Sequence, residues 1–214
     1  MDNLERGNRI ELSALAWKAK VLPLYEPRIN TRMKYYESIP FNNLKTIQEK
    51  VFSLFPKEKL HANMTSLFYI PDDINSFLNI TELRCELDRL GWTSYVYSIA
   101  FFIVQPTKGT TIHIDTGDVD HSFNLPIINC NNTFVNFYTT LEQPIKQTYL
   151  EYGRTINYFK YNPVKCKLVD KLEMTTPHVI KVKEVHNITN TNIGPRITLL
   201  IRLKSNLNLS YLFE

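Results

Sequence analysis

The rhythm of hydrophobic and polar positions changes at Gly91. Before it, apolar residues recur every three or four positions. In "NNLKTIQEKVFSLFP" (42–56), Leu44, Ile47, Val51, Leu54 and Phe55 form one stripe, which predicts an amphipathic helix ended by Pro56. "PDDINSFLNITELRCELDRLG" (71–91) opens on acidic residues and closes on Gly91, and predicts one or two further helices. Residues 1–40, punctuated by Pro23, Pro27 and Pro40, read as a strand or short helix leading into an arm packed on the main body.

After Gly91 the runs become short, β-branched and aromatic: "SYVYSIAFFIV", "GTTIHID", "HSFNLPIIN", "TFVNFYTT", "CKLVDKLEM", "HVIKVKEVH" and "RITLLIRLK", separated by turn-like residues. Strands that follow a helical third predict a mainly β fold with some α, a jelly roll or barrel whose sheet is braced by the N-terminal helices. The expected layout is one structural unit, with residues 1–90 as helical support and arm and 91–214 as the β core. A tyrosine-rich insertion at 146–163 reads as a hairpin or lid.

Composition narrows the class. The chain has 214 residues and is 43% hydrophobic, which suits a globular protein with a sizeable core. A net charge of +4 is too weak and dispersed to point to nucleic acid. Cys85, Cys130 and Cys166 are widely spaced and odd in number, as expected of a reduced, cytoplasmic protein. "MDNLERGNRIELSALAWKAK" is too charged for a signal peptide, and "YVYSIAFFIV" is far shorter than the roughly 20 residues of a membrane helix.

The chemistry starts in "TTIHIDTGDVDH" (110–121). In a strand, residues i and i+2 share a face, so His113 and Asp115 project together and Ile114 points away. An imidazole and a carboxylate on one face can hold a divalent metal if a third ligand arrives from elsewhere. The candidates are His178 and His186. His186 closes a β-like run and precedes a polar stretch, as the His-x-Asp pair does, whereas His178 follows Pro177 at a strand start. Ten residues after His186, Arg196 and Thr198 again share a strand face, a guanidinium and a hydroxyl suited to a carboxylate. Asp118 and Asp120 lack the EF-hand order and read as turn residues.

His113-x-Asp115, then His186, then Arg196-x-Thr198 resembles the Fe(II)- and 2-oxoglutarate-dependent oxygenases, whose fold is a double-stranded β-helix. The resemblance covers about residues 91–204, and the roughly seventy residues between His113 and His186 suit it. "IHIDTGDVDHSFNLPIINCNNTFVNFY" is similar to the compact oxygenases related to aspartyl/asparaginyl β-hydroxylases, including phage and viral ones. The resemblance implies that His113, Asp115 and His186 hold Fe(II). It implies that Arg196 and Thr198 bind the distal carboxylate of 2-oxoglutarate, with Asn124 and Tyr138 as further candidate pocket residues. It also implies that O2 is consumed as an amino-acid side chain is hydroxylated, in a protein, a peptide or a free amino acid, with release of succinate and CO2. Where many such relatives carry an arginine, this chain reads Asp120-His121-Ser122, so the metal-side carboxylate has no assigned partner.

Two other readings compete. Arg196 and Arg202 have a spacing similar to that of the nucleic-acid dealkylating enzymes of the same superfamily, but no basic, aromatic-interleaved groove accompanies it. A jelly roll without catalysis, serving in binding or structure, would make the metal ligands irrelevant. A monomer and a homodimer are both compatible with the sequence.

Overall fold

The computed structural model describes residues 34–61, 65–115, 119–151 and 154–213. Most of the expected N-terminal arm (residues 1–33) and Asp118 lie outside the described residues. Helix α1 (Leu44–Ser53) occupies the predicted stripe and buries Ile47 and Val51. The stretch 71–91 holds two helices, α2 (Asn75–Leu78) and α3 (Thr81–Arg89). The Asp73 carboxylate starts α2, accepting from the Asn75 backbone N–H and the Ser76 hydroxyl at 2.8 Å each. Gly91, at φ +71°, takes the left-handed conformation that ends α3.

Among the described residues there are twelve strands, numbered in chain order. They are β1 (Tyr36–Ser38), β2 (Ser66–Tyr69), β3 (Val96–Val104), β4 (His113–Asp115), β5 (His121–Ile128) and β6 (Thr133–Thr139), then β7 (Ile145–Glu151), β8 (Arg154–Lys160), β9 (Lys167–Glu173), β10 (His178–Lys181), β11 (His186–Asn190) and β12 (Arg196–Leu203). They form two six-stranded sheets, a major one in the order β1-β10-β5-β12-β3-β2 and a minor one in the order β7-β8-β4-β11-β6-β9. From β3 to β6 and again from β9 to β12 the chain alternates between the sheets, and neighbouring strands are antiparallel. This is the jelly-roll, cupin-like layout. Two short strands from before Gly91, β1 and β2, extend the edges of the major sheet.

One expectation needs correction. "HVIKVKEVH" is not a single strand that ends at His186. It breaks after Lys181, and Val182 to Val185 carry the chain from the major to the minor sheet. The charged pair Lys183-Glu184 sits in that crossing. His186 therefore begins β11, and the polar "NITN" after it is strand rather than loop, with Asn187 and Thr189 pairing across to Asn136 on β6.

The major sheet has two unlike faces. Ile99, Phe101 and Ile103 on β3, Phe123 and Leu125 on β5, and Ile197, Leu199 and Ile201 on β12 pack into one core with Ile47, Val51, Leu83 and Leu87 of the helices. The period-two alternation sends Arg196, Thr198, Arg202, Ser122 and Asn124 to the opposite face, between the sheets. There a second apolar cluster fills part of the space, with Ile180 and Val182 packed against Val135, Phe137 and Leu172 of the minor sheet. The insertion forms the β7–β8 hairpin, which adds to the minor sheet beside β4. Among the described residues, no helix is long and apolar enough to cross a membrane.

Candidate metal centre

β4 is only the tripeptide His113-Ile114-Asp115, and β11 lies next to it with His186 directly opposite His113. Strand alternation and this one register pair bring His113, Asp115 and His186 together. Each offers a ligand atom, and these atoms lie within 4.8 Å of one another. The imidazoles are oriented alike. Nδ1 of His113 meets the Thr111 carbonyl at 2.8 Å, and Nδ1 of His186 meets the Glu184 carbonyl at 2.8 Å. With Nδ1–H donating to a carbonyl, Nε2 is the nitrogen left for a metal. The two rings lie 4.6 Å apart, with Phe137 6.3 Å from His186 and Tyr158 edge-on to His113 at 6.2 Å.

Electrostatics prepare two of these groups for ligation. Burial opposes the Asp115 charge, but the hydrogen bond from His113 and the nearby Arg202 and His186 outweigh it and hold the carboxyl well below the usual range. Burial and the neighbouring His113 push His186 down to about 4, so it is neutral. His113 behaves differently. Burial would lower it, yet its contact with Asp115, at 3.3 Å from Nε2 to Oδ1, lifts it above the ordinary imidazole value. A metal would have to displace that proton.

His178, the other candidate third ligand, stays on the major sheet. Its Nδ1 meets the Thr176 carbonyl at 2.6 Å, its ring lies 5.9 Å from Tyr36, and it is not in the cluster. Arg196 and Thr198 are both 0% exposed. Nε, Nη1 and Nη2 of Arg196 and Oγ1 of Thr198 have no hydrogen-bond partner. Burial pushes the Arg196 guanidinium below its ordinary value, and the Cys130 thiol beside it opposes that only in part. Asn124 is on the same inter-sheet face, with its amide donating to the Ser122 carbonyl at 2.9 Å. Tyr138 is not brought to this site. Along β6, Val135 and Phe137 point between the sheets, so Asn136 and Tyr138 point outward, and the Tyr138 hydroxyl donates to Asn187 at 3.1 Å.

Two further inter-sheet residues carry no site signal in the sequence. Arg202, noted there only for its spacing from Arg196, reaches across from the major sheet and donates from Nη2 to Asp115 Oδ2 at 3.0 Å. Ser122, 2% exposed, has an unpartnered hydroxyl on the same face. A cavity of about 400 Å³ is lined by Asp120, His121, Lys181, Lys183, Glu184, Ser210 and Phe213; none of the three candidate ligands lines it, and His121 and Lys181 share the face of Phe123 and Val179, away from the inter-sheet space. Lys183 donates to the Asp115 carbonyl at 3.1 Å, and His121 stacks on Phe213 at 5.1 Å.

No family model matches the chain, and no curated protein matches it by sequence. Similar solved structures include an oxalate decarboxylase of Lactobacillus farciminis in complex with formate. It is 12% identical with a TM-score of 0.36, covering 73% of this chain and 36% of that one. Another is the oxalate decarboxylase of Bacillus subtilis, studied for its Mn(II) centres, at 11% identity and a TM-score of 0.31, covering 69% of this chain and 28% of that one. The chain thus spans well under half the length of either. At this level of likeness, the chemistry of the site rests on this chain's own residues.

Proposed function

We propose that the protein is an Fe(II)- and 2-oxoglutarate-dependent dioxygenase that hydroxylates an amino-acid side chain in a protein, a peptide or a free amino acid. The observation that carries this reading is the fully buried, unpartnered guanidinium of Arg196, with the unpartnered hydroxyl of Thr198 on the same strand face. An uncompensated buried cation is costly, and an incoming carboxylate would offset that cost. The same face of β12 carries Arg202 to the carboxylate of Asp115. A diacid with one end on a metal and the other on Arg196 joins both observations.

The donor set fits the metal. Two imidazoles and one carboxylate are the ligands of non-haem Fe(II) oxygenases and leave positions open for other groups. His113, Asp115 and His186 would hold the ion, and Arg202 fixes the second oxygen of Asp115 so that the first is aimed at it. Bound Fe(II), 2-oxoglutarate and O2 supply oxidative decarboxylation to succinate and CO2 coupled to hydroxylation. Phe137 and the cluster around it keep one wall of the inter-sheet space dry. Arg202 is engaged with Asp115, so its spacing from Arg196 has an account that needs no nucleic acid.

Anaerobic titration of the metal-free protein with Fe(II) and then 2-oxoglutarate tests the reading. A saturable visible charge-transfer band that is lost in Asp115→Ala is the expected result. Folded protein that gives no band would favour a jelly roll without catalysis.

A further inference from the structure

Cys130 follows β5 by two residues, in the turn to β6. Asn129, at φ +50°, folds the chain back there. The turn is pinned by the segment that precedes Arg196. Asn192 donates to the carbonyls of Asn129 and Asn131 at 2.9 and 2.6 Å, and Asn129 donates to the Pro195 carbonyl at 3.0 Å. Cys130 is thereby held against the first residues of β12. Its thiol donates to the carbonyls of Ile128 at 3.3 Å and Ile197 at 3.2 Å. Arg196 is the residue before Ile197, and the thiol is close enough to act on its guanidinium.

The thiol is a poor partner for that cation. A neutral sulfur is a weak acceptor, and Nε, Nη1 and Nη2 of Arg196 make no well-formed bond to it or to any other group. Arg196 is 0% exposed, so its charge stays uncompensated. Oxidised sulfur is a different neighbour. A sulfinate carries a full negative charge and two oxygens arranged much as in a carboxylate, which a guanidinium binds through two N–H groups.

We infer that Cys130 is an oxidation site, and that its sulfinate pairs with Arg196 and closes that guanidinium to a carboxylate ligand. The oxidant is a hydroperoxide. Hydrogen peroxide is little larger than water, and Cys130 keeps 7% of its surface open. In the first step the sulfur attacks one peroxide oxygen. An S–O bond forms and the O–O bond breaks. The thiol proton leaves with the other oxygen as water, and the sulfur gives up two electrons to become a sulfenic acid. A second peroxide repeats the exchange and gives the sulfinic acid, which releases its proton to solvent. The protein gains a counter-ion for Arg196 as it loses the place for an external one. Combined with the oxygenase reading, this makes peroxide a brake on turnover through loss of co-substrate binding.

The test uses the Cys85→Ser/Cys166→Ser protein, in which Cys130 is the one thiol left. It is treated with hydrogen peroxide while metal-free, so that no bound metal decomposes the oxidant. Peptide mass spectrometry should find the sulfinic acid at Cys130. The oxidised, metal-free protein should melt a few degrees higher than the untreated one. With Arg196→Met added, the same treatment should not raise the melting temperature. After loading with Mn(II) without O2, the oxidised protein should bind 2-oxoglutarate at least about tenfold more weakly by calorimetry, with its Mn(II) affinity unchanged. Folded protein whose Cys130 resists peroxide would overturn the inference. So would oxidation that leaves the melting temperature unchanged or lowers it, or that raises it equally in the Arg196→Met protein, because charge pairing would then not be the cause. Untreated protein that binds Mn(II) but not 2-oxoglutarate would sink the oxygenase reading alone, and the melting comparison would still decide this inference.

Discussion

At the scale of single residues, Arg196 is the position where stability and function pull apart. A core guanidinium with no partner destabilises the protein that carries it, and replacing buried ionic groups by apolar ones of similar volume is often neutral or stabilising. Arg196→Met should therefore raise the stability of the metal-free protein, by about 1–4 kcal/mol, while removing its response to 2-oxoglutarate. Thermal unfolding with and without the diacid checks both halves, and a large loss of stability would mean that the guanidinium has a structural role. Arg202 should behave in the opposite way. It holds one oxygen of Asp115 while His113 meets the other, so Arg202→Gln loosens the proposed carboxylate ligand without removing it. Metal affinity should fall about 10–100-fold, read by competition with a chelating dye, and an unchanged affinity would reduce the bridge to packing.

At the scale of elements, one buried carboxylate ties α3 to the start of α1, while the apolar cluster seats both on the major sheet. Glu86 on α3, with 5% of its side chain exposed, accepts from the Asn42 backbone N–H at 2.9 Å and from Arg89 Nε at 2.8 Å. Burial would raise its pKa, but the bonds from Asn42 and Arg89 outweigh burial and lower it. A folded-state pKa below the unfolded value gives stability that is complete above the unfolded carboxylate range, about 4.3, and is lost as pH falls through the folded value. Glu86→Gln should thus cost about 1–3 kcal/mol near neutrality and converge with wild type in acid. Melting curves across that pH range would show the convergence; a constant difference would rule out the charge as the cause. The sequence made the helical stripe legible because Ile47 and Val51 follow the 3.6-residue period. It made the pairing of His113 with Asp115 legible because that follows from a period of two. What it left hidden is parity and pairing. Alternation says that Asn136 and Tyr138 share a face, but only the packing of Phe137 says that this face is the outer one. In the same way, "HVIKVKEVH" reads as one β-like run, and only the sheet partners show that it changes sheets before His186.

At the scale of the whole molecule, the proposed metal ligands and the proposed diacid anchor belong to different sheets. His113, Asp115 and His186 sit on β4 and β11 of the minor sheet, whereas Arg196 and Thr198 sit on β12 of the major one. This division is invisible in sequence because it depends on contacts such as that of Arg202 with Asp115, which span most of the β core. It has a thermodynamic consequence. A metal alone ties two neighbouring strands of one sheet, while a metal-bound diacid that reaches Arg196 links both sheets. Any ligand that binds only the folded state stabilises it by mass action, by about 2.7 kcal/mol at a hundredfold excess over its dissociation constant. The two ligands should differ in where that stabilisation appears. Mn(II) should slow amide exchange in β4 and β11. Adding 2-oxoglutarate should extend the protection to β12 and β5, and should raise the melting temperature further only when the metal is present. In Arg196→Met the first effect should survive and the second should vanish. If the diacid protected β12 without metal, it would be bound by the buried arginine alone, and the bridge between the sheets would be wrong. If the metal alone protected both sheets, the coupling would run through Asp115 and Arg202 instead.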